Sequence, residues 1–325
     1  MAVKHIKHIR SQLKTALATG LDGVLRLALT ERGNNLFTPF LGALPRSIRL
    51  PFSVPVKRLG VDMKVPLGGS GVNLNDTIEH LKWAGSWKSR VFERFVKRSQ
   101  PTFVDIGANT GQTLLEIFAT HPDARYIGFE PSLPCATYLA SVIEANRWVG
   151  SLILASALAS EEGLVALYHG PGSITDSGAT VQRDLRPGRK YDSSYVPCLR
   201  FDTVRDALKL DHIDLVKIDV EGGELEVVTG MEHTLESIRP IILCEVLSTD
   251  SAADIRISTS RNEELIRRLT RSGYSVWQLV KSDDLKDVQS IRHISEFPRE
   301  YWSPANAELC DYLFLPRERY PQAVW

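Results

Sequence analysis

Phe103-Val104-Asp105-Ile106-Gly107-Ala108-Asn109-Thr110-Gly111, followed by Gly128-Phe129-Glu130-Pro131, is the stretch whose reading decides the fold. A short apolar run ends in an acid and a glycine turn. A helical pattern follows over about residues 111–120, and a second apolar run ends in another acid, Glu130. This is the opening βαβ unit of a nucleotide-cofactor fold. Its glycines let backbone and ligand approach, and its second acid accepts hydrogen bonds from ribose hydroxyls.

The loop reads D-x-G-x-x-x-G, with Asn109 where a dinucleotide loop of the G-x-G-x-x-G type carries its middle glycine. A pyrophosphate seated on a helix N-terminus makes an acid in that loop unwelcome. S-adenosylmethionine has no phosphate and carries a sulfonium and an ammonium, so an acid such as Asp105 attracts it. The loop therefore points to S-adenosylmethionine. The bland alternative is a glycine turn in some other α/β protein, and Glu130 at the right distance argues against it.

Composition sets bounds on the rest. The 325 residues hold 39 basic and 39 acidic side chains, so no global field draws nucleic acid. Cys135, Cys198, Cys244 and Cys310 are scattered without C-x-x-C spacing and read as reduced thiols of a cytoplasmic protein. No apolar run is long enough to span a bilayer, and the basic N-terminus lacks a signal-peptide h-region.

Two regions follow from the patterning: an N-terminal extension over 1–75 and an α/β domain over 76–325. The extension begins with an amphipathic helix, Ile6, Ile9, Leu13 and Leu17 opposite Lys4, Lys7, Arg10 and Lys14. Such a helix packs on its own protein or makes weak contact with an anionic membrane surface. A Pro/Gly-rich segment follows, with short β pieces around 48–56 and 61–65 and a loop at Gly68-Gly69-Ser70-Gly71. In the domain, strands at 102–106, 125–129, 151–155, 213–219, 241–246 and 274–280 alternate with helices at 111–120, 133–147, 223–237 and 261–272. Looser β segments fall at 164–168 and 195–201. That alternation implies a mostly parallel sheet covered on both faces. A last strand at 309–315 follows a long loop and is suited to enter antiparallel.

Ligands of open parallel sheets bind at the carboxyl ends of the strands, where Asp105, Glu130, Asp219 and Glu245 lie. Lys217 and Asp219 share one face of their strand, and a buried Lys217 needs a partner, for which Asp219 and Glu245 are the candidates. Asp219 is the first candidate for general base, Glu221 the second and His169, in a Gly-rich segment, the third. Asp219, Glu221 and Glu245 also offer oxygen ligands for a hard cation, but no known metal-loop spacing is present and no metal is assigned. Ser173 and Ser177-Gly178-Ala179-Thr180 suit a wall over the acceptor.

Val104 to Gly111 resembles the first motif of the FkbM-type methyltransferases. Leu215-Val216-Lys217-Ile218-Asp219-Val220-Glu221-Gly222-Gly223-Glu224-Leu225-Glu226 is similar to that family's most specific segment, and Arg239 to Val246 to its fifth-strand motif. Phe201-Asp202-Thr203-Val204 and Leu313-Phe314-Leu315-Pro316 are similar too. The resemblance covers about residues 85–316. It implies a class I methyltransferase (Rossmann-like) fold, with a seven-stranded sheet whose last strand is antiparallel. It further implies O-methylation of a small-molecule or glycan hydroxyl with S-adenosylmethionine. Asp105, Gly107, Asn109 and Gly111 would line the cofactor loop, Glu130 would hold the ribose, and Asp219 with Glu221 would border the transfer site. Lys88 departs from the family pattern, standing where many members have an acid. A nucleotide-dependent oxidoreductase and a non-catalytic cofactor-binding scaffold are the rival readings. The missing G-x-G-x-x-G counts against the first and the intact acids against the second.

Overall fold

The computed structural model describes residues 53–67, 72, 86–173, 175–185, 188–247, 255–299, 307–322 and 325. Its first element is an antiparallel hairpin, β1 (Ser53–Arg58) and β2 (Val61–Pro66). Helix α1 (Trp87–Phe95) is N-capped by Ser86, whose hydroxyl accepts from the Lys88 N–H. The nucleotide-type unit is then β3 (Thr102–Ile106), α2 (Gln112–Thr120), β4 (Arg125–Phe129), α3 (Leu133–Asn146) and β5 (Leu152–Leu154). Short strands β6 (Ala157–Leu158), β7 (Gly163–His169) and β8 (Asp192–Leu199) make a separate sheet in the order β6-β8-β7.

Helix α4 (Phe201–Leu208) leads to β9 (Leu215–Ile218), helices α5 (Glu224–Gly230) and α6 (Glu232–Ser237), and β10 (Ile241–Glu245). Helix α7 (Ile255–Arg271), β11 (Tyr274–Lys281), β12 (Val288–Ile294) and β13 (Asp311–Pro316) complete the chain. The single helix expected over 223–237 is two. Gly230 is packed so closely that a Cβ would stand 2.2 Å from the Ala159 carbonyl oxygen, and Met231 leaves helical geometry at φ −122°, ψ 21°.

The large sheet runs β12-β11-β13-β10-β9-β3-β4-β5. Strands β10, β9, β3, β4 and β5 are parallel, while β13 lies antiparallel between β10 and β11. The seven strands of a class I methyltransferase sheet are thus in place, with the last one reversed. An eighth, β12, adds an edge inside the segment expected to be a loop. Most of its side chains face solvent, so no apolar alternation marks it in the sequence.

The period-2 alternation of the strands divides the core. Phe103, Leu215, Leu243 and Leu313 pack on one face with α1, α2 and α3. Val104, Val216, Ile242 and Phe314 pack on the other, with α4, α5, α6 and α7. Met63, Val65 and Leu67 belong to the first core, and the Tyr138 hydroxyl donates to the Pro66 carbonyl at 2.9 Å. Residues 53–67 are therefore part of the α/β domain, and a boundary at residue 75 falls too late. The expected N-terminal helix and the Gly68–Gly71 loop lie outside the described residues.

Candidate active site

Strand register places Asp105 beside Lys217, on neighbouring strands β3 and β9. The Lys217 ammonium lies 3.6 Å from Asp105 and 3.0 Å from Asp219, and donates to the Gly107 carbonyl at 3.2 Å. Burial works against this ammonium, but Asp219 and Asp105 outweigh it and hold its pKa above the ordinary lysine value. Asp105 is fully buried, and its other oxygen accepts from the Tyr126 hydroxyl at 2.7 Å. The carboxylate expected beside the cofactor is thus below the loop, neutralised by Lys217, and absent from the cavity wall.

Gly107, in the cavity lining, also has a structural task. At φ +82° a Cβ would stand 1.8 Å from the Asp219 carbonyl oxygen, so the glycine lets two strand exits meet. Asn109 takes a left-handed φ of 45°, and Gly111 is the left-handed N-cap of α2. Glu130 ties this loop down. Its two oxygens accept from the Asn109 N–H at 2.7 Å and the Ser132 N–H at 2.8 Å. Burial pushes its carboxyl up to about 7, against the pull of those two donors.

Above these strand ends is a cavity of about 170 Å³. Its floor and sides include Ile106, Phe129, Ala157 and Leu158, the loop from Gly107 to Thr110, Glu130, Ser156, Lys217, Asp219 and Glu221. The small sheet supplies Leu167, and the segment after it supplies Asp176, Ser177 and Ala179. Ser177 and Ala179 thus wall this cavity, and the Thr180 hydroxyl anchors the segment by donating to the Glu221 carbonyl at 2.8 Å.

Glu221 itself sits at φ +58°, followed by Gly222 at φ +111°. Two later acids of the same run stabilise this turn. Glu224 accepts from the Gly222 N–H at 2.9 Å, and Glu226 pairs with Arg261 at 2.5 Å while Arg261 donates to the Gly222 carbonyl at 2.9 Å. Burial pushes the Glu224 carboxyl up to about 7.

A second cavity, of about 200 Å³, lies between the N-terminus of α1 and the ends of β10 and β13. Trp87, Glu245, Lys281, Glu308, Cys310 and Asp311 line it, and Lys88 and Gln112 line both cavities. Lys281 is held by Asp311 at 2.7 Å and Glu308 at 2.8 Å. Strand register sets Glu245 beside Asp219, and the Cys310 thiol donates to Glu245 at 3.2 Å. Burial first, then the charges of Asp219 and Asp311, push the Glu245 carboxyl up to about 9. Burial alone would raise Asp219 as well, yet Lys217 and Lys88 keep it below the usual carboxylate range.

Of the expected site residues, Gly107, Asn109, Glu130, Asp219 and Glu221 meet at the first cavity. Gly111 acts through backbone shape. His169 does not join them: Leu167 is the last β7 residue in the wall, and the His169 ring sits 3.3 Å from the Gly170 carbonyl instead. Ser156 was not singled out in the sequence. It lies two residues past the end of β5, so the strand-end rule, applied two residues further, finds it. Among the described residues no cluster of three or more His, Cys, Asp or Glu is arranged to hold a metal ion. Nor is any helix among them long and apolar enough to cross a membrane.

The model of the methyltransferase FkbM domain matches residues 105–276, more than half of the chain. Methyltransferase sdnD of Sordaria araneosa is 29% identical over 171 residues, 45% of this chain and 66% of that protein. The AMB antimetabolite synthetase AmbE of Pseudomonas aeruginosa is 27% identical over 255 residues, 67% of this chain and 12% of that protein. The chain thus spans less than two thirds of either relative's length. Among solved structures, methyltransferase FkbM from Methylobacillus flagellatus KT aligns with TM-score 0.41 and 14% identity, covering 67% of this chain and 44% of that one. Aeropyrum pernix fibrillarin, solved with bound S-adenosyl-L-methionine, aligns with TM-score 0.37 and 11% identity, covering 70% and 72%. With a sheet of the order described and this family match across β3 to β11, the chain belongs to the FkbM methyltransferase family.

Proposed function

We propose that the protein is an S-adenosylmethionine-dependent O-methyltransferase acting on a hydroxyl of a sugar, glycan or secondary metabolite. The observation that carries this reading is one cavity joining Glu130, Ser156 and Asp219 at the ends of β4, β5 and β9. The residues present fit the cofactor. Ser156 Oγ is buried in the wall with no hydrogen-bond partner among the described residues, as a donor or acceptor suited to a polar ring edge would be. Ala157, Leu158 and Phe129 supply an apolar slot beside it for adenine. Glu130 keeps lone pairs for ribose hydroxyls, and Asp219 gives the wall a negative charge for the cationic end.

When bound, the cofactor supplies an electrophilic methyl group; the chain supplies position and proton handling. The second cavity suits the acceptor. Its carboxyl groups and Gln112 can hydrogen-bond a neutral polar molecule, Lys88 and Gln112 line both cavities, and Asp219 of the first neighbours Glu245 of the second. Asp219, held ionised by Lys217, accepts a hydrogen bond from the acceptor hydroxyl and orients its oxygen. Glu221 supports that wall through the turn. The even charge balance gives no attraction for nucleic acid, and the basic N-terminal segment is suited to weak contact with an anionic membrane.

The test is Asp219→Asn. We expect it to retain affinity for S-adenosylhomocysteine within a few-fold while turnover on a hydroxylated acceptor falls by ~10²–10⁴-fold. Unchanged turnover would make Asp219 structural and reject the assignment.

A further inference from the structure

Asp219 and Glu245 each follow the last residues paired between β9 and β10, Ile218 and Cys244, so the two carboxyl groups are neighbours, one lining each cavity. We propose that they are a one-proton pair, which gives up its proton when a cationic cofactor binds and regains one from the acceptor hydroxyl on methyl transfer. The proposal rests on the cofactor reading above.

The geometry is specific. Glu245 ends β10 and Asp219 follows β9, its parallel neighbour. Asp219 is fixed by Lys217 at 3.0 Å, and Glu245 receives the Cys310 thiol at 3.2 Å. The titratable groups facing the pair come from several elements around it. They are Lys217 and Glu221 from the β9 strand and turn, Lys88 from α1, and Cys310 and Asp311 from the start of β13. Lys281 of β11, in the same cavity as Glu245, pairs with Asp311 at 2.7 Å and Glu308 at 2.8 Å. One proton between two carboxyls is what this surplus of acids requires, because two adjacent buried carboxylates without a further cation are costly.

Taken singly, neither group is a useful base in the free enzyme. Asp219 is ionised but weakened by Lys217, and Glu245 is basic but already protonated. A cofactor sulfonium held in the first cavity beside Asp219 would be the missing cation, and its binding would favour loss of the shared proton to solvent. On transfer, the acceptor O–H bond breaks and its proton passes to the pair. The new O–C bond forms as the S–C bond breaks, leaving the S–C electron pair on a neutral sulfide. The buried cluster then has one proton more and one cationic charge fewer, so its net charge is unchanged. That constancy is favourable in a low-dielectric site, where uncompensated charge is penalised.

The experiment is calorimetric titration of the intact protein near neutral pH, in buffers of different ionisation enthalpy. The probes are S-adenosylmethionine and S-adenosylhomocysteine, which differ in the sulfonium charge. We expect the former to release more protons, by up to about one per site, since linkage counts protons directly. In Glu245→Gln the homocysteine form should still bind, and the difference should vanish. Equal proton counts in the wild type, or a difference that persists in Glu245→Gln, would overturn the proposal. If that variant does not fold, the wild type suffices. Its infrared difference spectrum should lose a protonated-carboxyl band with S-adenosylmethionine and keep it with S-adenosylhomocysteine, and the same loss with both would overturn the pair. Failure of both ligands to bind folded protein would instead reject the cofactor reading, and the pair's role with it.

Discussion

Replacing Lys217 by Met tests whether Asp105 belongs to the scaffold. The substitution keeps an unbranched, buried side chain on β9 but removes the ammonium 3.6 Å from Asp105 and 3.0 Å from Asp219. Asp219 keeps 28% of its side chain exposed to water, whereas Asp105, with no exposed surface, keeps only the Tyr126 hydroxyl among the described residues. Breaking a buried pair by deleting one partner costs about 3–5 kcal/mol. At roughly 2–4 °C per kcal/mol for a domain of this size, Tm should fall by ~10 °C. Adding Asp105→Asn removes the stranded charge while keeping a hydrogen-bonding group beside Tyr126, so the double variant should recover at least half of the loss. Thermal and urea unfolding of the four proteins of this cycle provide the assay. A single-variant loss below about 1 kcal/mol, or no recovery in the double variant, would refute the argument that Asp105 is occupied by Lys217.

Three further outcomes follow from the same geometry. Gly107→Ala, at φ +82° and with its Cβ directed at the Asp219 carbonyl, should lose at least ~2 kcal/mol of stability and weaken S-adenosylhomocysteine binding; wild-type behaviour in a melt and a titration would contradict the close approach. Glu224 has a folded pKa raised from 4.5 to about 7, so its stabilising contribution is present below pH 4.5 and is lost as pH rises through 7. Glu224→Gln, which keeps an acceptor for the Gly222 N–H, should therefore be more stable than wild type at pH ~8, by up to roughly 3 kcal/mol, with the gain shrinking toward acid pH; a pH-independent difference would reject this. His169→Gln should leave turnover within about twofold, and a fall of ~10²-fold would return His169 to the site.

Local pattern made much of this molecule legible. The acid–glycine turn after β3 and the alternation of Lys217 and Asp219 on β9 located the cavity, because a parallel sheet places ligands at its strand ends. What stayed hidden depends on distant partners. Lys217 has two carboxylates, and the one the sequence did not suggest, Asp105, is 112 positions away but directly beside it in the sheet register. Glu130 looked like a ribose ligand alone, yet it also anchors the backbone at Asn109 and Ser132. Helix α7 starts at Ile255, before the expected residue 261; the β-branched and Ser-rich run Ile255–Ser260 has weak intrinsic helix propensity and so gives no helical signal in the sequence. The hairpin β1–β2 reads as a loose extension until Tyr138 and Asn146 of α3 are seen to hold it by hydrogen bonds.

The central claim is that the cavity at the ends of β3, β4 and β9 binds the methyl donor. Calorimetric titration of the wild-type protein with S-adenosylhomocysteine, repeated for Glu130→Ala after confirming that the variant melts cooperatively, tests it most directly. The expected result is one site per chain in the wild type and a loss of at least ~10-fold in affinity in the variant. No binding to folded wild-type protein, or equal binding by both proteins, would contradict it.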